Sequence, residues 1–525
     1  MINSSIFSRL LPAVLFLAGA ASLVILVLPA GPAADAQTPD SPPAAAALPA
    51  GKTAHPTLDP VLFADWPTPK LALVLTGRLE GYIEPCGCSG KENMQGGLSR
   101  RDMLLTKLAA DHWPVVALDV GNQVRRFGHQ QEIKFGSTAE ALKAMDYRAV
   151  GLGPNDLQLS STDLLASIAP TGKQPPMFVS ANAAVFAPDP KTLPLYQIIE
   201  AGGMKIGVTS VLGNEERAKV NNQDIQLQSA DEALKQIMPK LQAEHCDLLV
   251  LLAEATKSET TDLAKKFPQF QIVVSSGGAE VPPKQATTLE GTSTQLIELG
   301  AKGMYAIVLG LYGGQGPDAI RYQRVPLDSR FGDSARMKRA LASYQEQLKE
   351  KGLAELGAVP IGHPSGPAFV GSETCGECHT HAYAIWKKTP HATALDTLEH
   401  LDPPRQYDPE CLSCHVTGWE PQKYFPFTGG YLSLEKTPQL AGNGCENCHG
   451  PGANHVAAES GAKKFTQVEQ DNFRRQMRLS LKTEDGRRKV IDICLKCHDI
   501  DNSLEFKGGE AFDTYWPKVE HPGKD

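Results

Sequence analysis

Short apolar runs recur along the chain from Leu71 to about Val325, and most end in glycine or another turn-forming residue. LALVLTG (71–77), PVVALDVG (114–121), YRAVGLG (147–153), MFVSANAAV (177–185), CDLLVLLAEA (246–255) and QIVVSSGG (271–278) predict strands. Between them, GLSRRDMLLTKLAADH (97–112) and SADEALKQIMPKLQAEH (229–245) carry the helical period. YQIIEAGGMKIGVTSVLG (196–213) and STQLIELGAKGMYAIVLGLYG (293–313) each predict a hairpin. Alternating strands and helices predict an α/β layered sandwich over 69–328. DSARMKRALASYQEQLKEKGLAEL (333–356) predicts one amphipathic helix within a bridging segment, 329–362. Asp333 and Ser334 are its capping candidates, and Met337, Leu341, Tyr344 and Leu348 form its stripe. After His363 the texture changes: apolar runs shorten and glycine and proline rise. Residues 363–525 therefore predict a mainly α, loop-rich second domain.

The first 68 residues have a third texture. Arg9 precedes an apolar run from Leu10 to about Ala30, and Ala34-Asp35-Ala36 offers a small-x-small cleavage site. Residues 1–36 read as a signal peptide, with an uncleaved membrane anchor as the alternative, because the run is long for a signal core. Residues 37–68 are a Pro/Ala-rich linker. Either reading places the body of the protein in the periplasm or another extracytoplasmic space. The net charge of −8 argues against a nucleic-acid partner, which requires a basic footprint.

Export normally makes cysteines a disulfide framework. Eight of the 11 here instead fall into four C-x-x-C-H motifs, CGECH (375–379), CLSCH (411–415), CENCH (445–449) and CLKCH (494–498). This spacing suits covalent haem: two thiols add across the vinyl groups and the adjacent histidine reaches the iron. Zinc would not require a histidine after every second cysteine. The expectation is four c-type haems. They are attached at Cys375 and Cys378, Cys411 and Cys414, Cys445 and Cys448, and Cys494 and Cys497. His379, His415, His449 and His498 are the proximal ligands. Four macrocycles would also supply the core that this region's sequence lacks.

Distal ligands must come from the other histidines. His455 follows CENCH after a Gly-Pro-Gly bend. Six residues, with a reach of about 20 Å, are an awkward path around the same disc, so His455 is read as the distal ligand of another haem. His391, behind Thr389 as cap and Pro390 at the first helical position, and His521, near the carboxy terminus, are the other main candidates. His381 and His400 compete for the fourth place, and His363 is a bystander.

VGSETCGECH, the WKKTPHA around His391, CLSCHVTGW and GCENCHGPGANH together resemble the tetrahaem cytochrome c-554 family. The resemblance covers the last third of the chain. It implies c-type haems, mostly bis-histidine, close enough for electron transfer, with one five-coordinate haem in some members. Its partners would be redox proteins such as other cytochromes or a quinol-linked membrane complex.

The first domain resembles the 5′-nucleotidase-like, calcineurin-type metallophosphoesterases. The likeness rests on GYIEPCGCSGKENMQGGLSRRDMLLTKL (81–108), VVALDVGN (115–122) and YRAVGLGPND (147–156). That family binds two metal ions through Asp-x-His, Gly-Asp, Gly-Asn-His and two later histidine sites. At those places this chain has Arg78 and Glu80, Asn122, Pro154 and Asn155, Glu254, and Gly278 and Glu280. An arginine puts positive charge where divalent cations must sit. The dinuclear site is therefore read as lost, the alternative being a rebuilt oxygen site of Glu80, Asp119, Asp156, Glu254 and Glu280.

Cys86 and Cys88 follow the first strand, at the end where such folds place active sites. A structural disulfide or inert thiols, a metal site, and a redox dithiol activated by Arg78, Arg100 and Arg101 are the readings open to them. The expected function is electron transfer through four haems. Redox chemistry on a small nitrogen or sulfur compound, at an open haem or at Cys86/Cys88, is the sharper form. Any enzyme activity would then be that of an oxidoreductase rather than a hydrolase. The rival is a periplasmic metal-dependent phosphoesterase with an attached cytochrome.

Overall fold

Along the first strand Leu71, Leu73 and Leu75 face one way and Ala72 and Val74 the other, and all five are fully buried. Only a strand in the middle of a stack of layers meets that requirement. The computed structural model describes residues 61–85, 94–126, 128–172, 174–314, 319–366 and 368–523. Cys86 and Cys88, the first 60 residues and the signal and linker expectations that fall on them lie outside the described residues.

In chain order the layered region runs β1 (Leu71–Thr76), α1 (Leu98–Ala110), β2 (Val115–Asp119), α2 (His129–Ala144), β3 (Tyr147–Val150), α3 (Ser161–Ile168), β4 (Ala183–Val185), β5 (Gln197–Ala201) and β6 (Met204–Leu212). There follow α4 (Asn214–Arg217), β7 (Ile225–Leu227), α5 (Ala230–Ala243), β8 (Leu248–Thr256), α6 (Lys257–Lys266), β9 (Ile272–Gly277), β10 (Thr287–Thr288), β11 (Gln295–Glu298), β12 (Tyr305–Leu311) and β13 (Ile320–Pro326). One sheet has the order β13-β12-β1-β2-β3 and the other β10-β11-β9-β8-β6-β5. Their inner faces meet through Leu71, Leu73, Leu75, Val208, Val250, Leu252, Val274 and Leu309. α1, α2 and α3 cover the outer face of the first sheet, and α5 and α6 that of the second. The result is an α/β sandwich of four layers.

One predicted hairpin forms and the other does not. β5 and β6 pair antiparallel across Gly202-Gly203. β11 and β12 part company: β11 runs parallel to β9 in the second sheet, and β12 antiparallel to β1 in the first. The turn at Lys302-Gly303 carries the chain across the stack, and Gly303 N–H donates to the Arg78 carbonyl at 3.0 Å. β11 buries Leu296 on one face and Ile297 on the other, and β12 is buried on both faces, so their pattern does not say which sheet each one joins.

α7 (Ala335–Glu355) starts on Ser334, whose hydroxyl accepts from Met337 N–H; Asp333 does not serve as the cap. Met337, Tyr344 and Leu348 are buried and Leu341 is partly so. α7 packs on α1 and α2. Beyond it the chain makes short helices, two-residue strands at Trp419–Glu420 and Phe425–Pro426, and long loops. Leu395, Leu412, Trp419, Phe427 and Tyr431 form one small cluster there and Val490, Phe506 and Phe512 another. The expected cap at Thr389 is not made. Its hydroxyl donates to the Trp386 carbonyl at 2.7 Å, and His391 lies in a 3-10 turn (Pro390–Thr393) before the helix Ala394–Glu399.

Candidate functional site

Short helices set the spacing of the motifs. CLSCH closes the helix Pro409–His415, where Pro409 takes the first position and the Asp408 carboxylate caps the Glu410 N–H at 3.0 Å. CENCH is itself a helix, Cys445–His449, ended by Gly450 at a positive φ. CGECH and CLKCH straddle the ends of Ser372–Gly376 and Glu484–Leu495. Helix 445–449 packs on both 372–376 and 484–495. Its second residue, Glu446, is buried and accepts from the N–H groups of Val370, Gly371 and Gly452 at 2.7 to 3.0 Å. That carboxylate fixes the approach to CGECH and the bend after CENCH together. Sequence reasoning missed it, although a glutamate inside a half-buried motif was the available sign.

Histidines distant in sequence are brought together in pairs. His379 faces His455 with ring centroids 6.3 Å apart. His449 faces His521 at 5.7 Å, and His498 faces His391 at 5.9 Å. Two imidazoles bound to opposite faces of one iron, each at about 2 Å through a ring nitrogen, place their centroids roughly 6 Å apart. The three pairs therefore fit bis-histidine haem. No second imidazole meets His415 at that distance among the described residues. His381 and His400 are exposed, and His400 Nδ1 lies 2.6 Å from the Asp396 carbonyl. His363 packs edge-on against Phe369 and Phe427.

The ring nitrogens are held as ligands require. Nδ1 of His415 lies 2.7 Å from the Ala394 carbonyl, and that of His449 lies 2.6 Å from the Met477 carbonyl. His498 Nδ1 is 3.1 Å from the Ser503 hydroxyl. A proton donated from Nδ1 leaves Nε2 as the free lone pair. His455 Nδ1 is buried with no hydrogen-bond partner, a cost that a metal bond would remove. Burial lowers the pKa of His391, His415, His449, His455 and His498, keeping them in the neutral form that binds iron. Thiols of different motifs also meet: Cys375 with Cys445, Cys414 with Cys497, and Cys448 beside Cys494. The motifs are thus neighbours in the order 375–445–494–411 rather than in chain order.

The layered region touches this site directly. Asp408 accepts from Gln130 at 2.7 Å and Gln345 at 3.0 Å. Glu410 accepts from Lys134 at 2.6 Å, Gln131 at 2.8 Å and Arg126 at 3.4 Å. Arg405 forks onto Glu84 at 2.6 and 3.0 Å. Asp501, three residues past His498, accepts from Tyr82 at 2.9 Å and Arg125 at 3.2 Å, and is paired with Lys302.

In the cleft at the carboxyl ends of the strands, the residues placed at metal-ligand positions by resemblance are already committed. Arg78 donates to Glu80 at 3.1 Å and to the carbonyls of Ser276 and Gly278 at 3.1 and 3.2 Å. Asp119 is ion-paired with fully buried Arg101 at 3.0 Å and also accepts from Thr76 and Gln123. Asp156 accepts four backbone N–H groups, from Asn122, Gln123, Val124 and Gly153. Glu254 is buried with Oε2 unpartnered, and burial raises its pKa to about 8. Among the described residues these carboxylates do not gather into a set that can hold a metal ion. The rebuilt oxygen site is therefore not assembled. Arg100 donates to the Met94 and Leu327 carbonyls. Arg78, Arg100 and Arg101 are thus each held by partners within the layered region.

Comparison with known proteins divides along the same line. The family described as cytochrome c554 and c-prime matches residues 374–450, which hold three of the four motifs. Cytochrome c-554 of Nitrosomonas europaea is 30% identical over 166 residues, covering 29% of this chain and 67% of that protein. A 5′-nucleotidase precursor from Thermus thermophilus is similar in structure, with a TM-score of 0.46 and 17% identity, over 53% of this chain and 59% of that one. The sulfate thiohydrolase SoxB of the same organism, in complex with glycerol, has a TM-score of 0.44 and 12% identity, over 54% and 62%. The chain spans about six tenths of each of these two structures.

Proposed function

The chain belongs to the cytochrome c554 family through its last third, and from that premise we propose that it is an exported electron-transfer protein carrying four c-type haems. The three imidazole pairs carry this reading. Cys375/Cys378 with His379 and His455, Cys445/Cys448 with His449 and His521, and Cys494/Cys497 with His498 and His391 would each hold a six-coordinate haem. Cys411/Cys414 with His415 would hold a five-coordinate one. Haem c supplies one-electron redox chemistry when bound. The chain supplies neutral imidazoles at fixed angles, thiols for attachment, and motifs set side by side. Met/His ligation would raise the potentials; bis-histidine keeps them lower.

In this reading 69–328 is a layered domain, 329–362 a bridge and 363–525 the cytochrome domain. Residues 1–36 direct export, and other cytochromes or a quinol-linked membrane complex exchange the electrons. The open position at His415 is where a small nitrogen or sulfur compound would react, as an oxidoreductase substrate. Cys86/Cys88 is the alternative place for that chemistry. Hydrolysis is disfavoured because Arg78 bridges the cleft and Asp119 is ion-paired.

Mass and spectroscopy of the purified protein test the reading. Four added haems are expected, three of them low-spin and one high-spin centre that binds carbon monoxide when reduced. His455→Ala, His521→Ala and His391→Ala should each convert one further centre to high spin. A colourless protein would end the proposal, and four low-spin centres would end its open-haem part. Nucleotide hydrolysis that depends on added divalent metal would restore the rival.

A further inference from the structure

Glu410 immediately precedes Cys411, and Asp408 caps the helix that carries CLSCH. Both carboxylates are met by α2 of the layered region. The Lys134 side chain is only 4% exposed, so its charge is little screened by water or salt. Burial opposes its ammonium, yet Glu410 and Asp408 hold its pKa above the ordinary value. The same burial works against ionisation of Glu410, and Lys134 and Arg126 overcome it. Gln130, Gln131 and Gln345 fix the two carboxylates in place. Arg126 closes the outer side, with its guanidinium 3.8 Å from the Tyr424 ring centre. Among the described residues no ion pair joins the layered region to the CGECH or CENCH segments.

We propose that the layered region tunes the cytochrome: Lys134, seconded by Arg126, raises the reduction potential of the haem at Cys411 and Cys414 by offsetting the negative charge of Glu410. The proposal rests on haem attachment at that motif. A negative charge beside an iron favours the ferric form, because the ferrous form carries one positive charge fewer. Left uncompensated at the helix start, Glu410 would hold this haem oxidised. Lys134 and Arg126 remove that bias and leave the haems at Cys375/Cys378 and Cys445/Cys448 unaltered. The layered region then acts as a fixed electrostatic partner, making one haem a better electron acceptor than its own ligands would. Lys134 and Arg126 are positioning residues in this scheme, since they act through Glu410.

Redox titration of the full-length holoprotein, followed by haem absorbance, tests this. Mass analysis of the CLSCH peptide first establishes that haem is attached; its absence would sink the functional reading and the tuning together, whereas attached haem with unmoved steps sinks the tuning alone. K134Q should lower one of the four one-electron steps, with about a tenfold change in its reduction equilibrium, which is about 59 mV. E410Q should raise the same step, and K134Q/E410Q should bring it back toward the wild-type value. A merely structural role would move both single variants the same way, with loss of haem or a changed spin state. That result, or four unmoved steps, overturns the proposal. If K134Q fails to take up four haems, Arg126→Gln on the rim gives the same sign at smaller size, and an unmoved or raised step there counts against it equally.

Discussion

The layered region and the cytochrome region solve the problem of an interior in different ways. In the first, β1, β8 and β9 bury side chains on both faces, and three large apolar clusters fill the space between four layers. In the second, the apolar clusters are small, and the half-buried groups between the helices are histidines and thiols. Apolar transfer stabilises by about 25 cal/mol per Å² removed from water, so a region with few apolar contacts has little of this driving force. Four macrocycles would provide it. One half of the molecule is thus specified by its own side chains and the other by side chains together with a cofactor.

The sharpest way to break that comparison is to prevent haem attachment. With all eight motif cysteines changed to alanine, the segment after about residue 360 should stay unfolded while the layered region keeps its cooperative transition. Limited proteolysis checks this: a resistant amino-terminal core is expected, and a resistant haem-free carboxy-terminal region would show that the comparison is wrong.

A change within the layered core should have the reverse selectivity. Arg101 and Asp119 are both fully buried and 3.0 Å apart. Arg101→Met leaves an unpaired carboxylate and should cost about 3–5 kcal/mol in chemical unfolding, whereas R101M with Asp119→Leu should cost less. The haem absorbance and spin states should stay as in the wild type.

The smallest expected effect is one of pH. Glu254 holds a proton up to about 8 in the folded chain, because burial penalises its charge, against an ordinary value of 4.5. Its contribution is complete below about 4.5 and is lost as the pH rises through about 8, since the unfolded chain releases the proton first. The midpoint of thermal unfolding should therefore decrease as the pH rises from about 4.5 to about 8, and Glu254→Gln should flatten that decrease. An unchanged slope in the variant would assign the dependence to other groups.

Much of this was legible in the chain. Strands such as LALVLTG and CDLLVLLAEA announce themselves by apolar runs, and the cysteine motifs by spacing. β13 was not legible, because Arg321, Gln323 and Arg324 interrupt its apolar positions, as suits a sheet edge. The parting of β11 and β12 was not legible either, since each strand presents apolar residues on both of its faces. Asp408, Glu410 and Lys134 carry no sequence signal that singles them out. Nothing local marks residues that find partners 276 positions away, as Lys134 and Glu410 do.

The sequence by itself determined the chemistry on offer: four thiol pairs each followed by a histidine, and a layered α/β fold ahead of them. Such features are local, written in spacing and residue type. Only the tertiary structure decided that His455 faces His379, that His521 faces His449, that His391 faces His498, and that Lys134 sits on Glu410. Those pairings depend on how distant segments pack. A histidine's reach is a few ångströms, whereas the chain between partners can take many paths, and packing selects one.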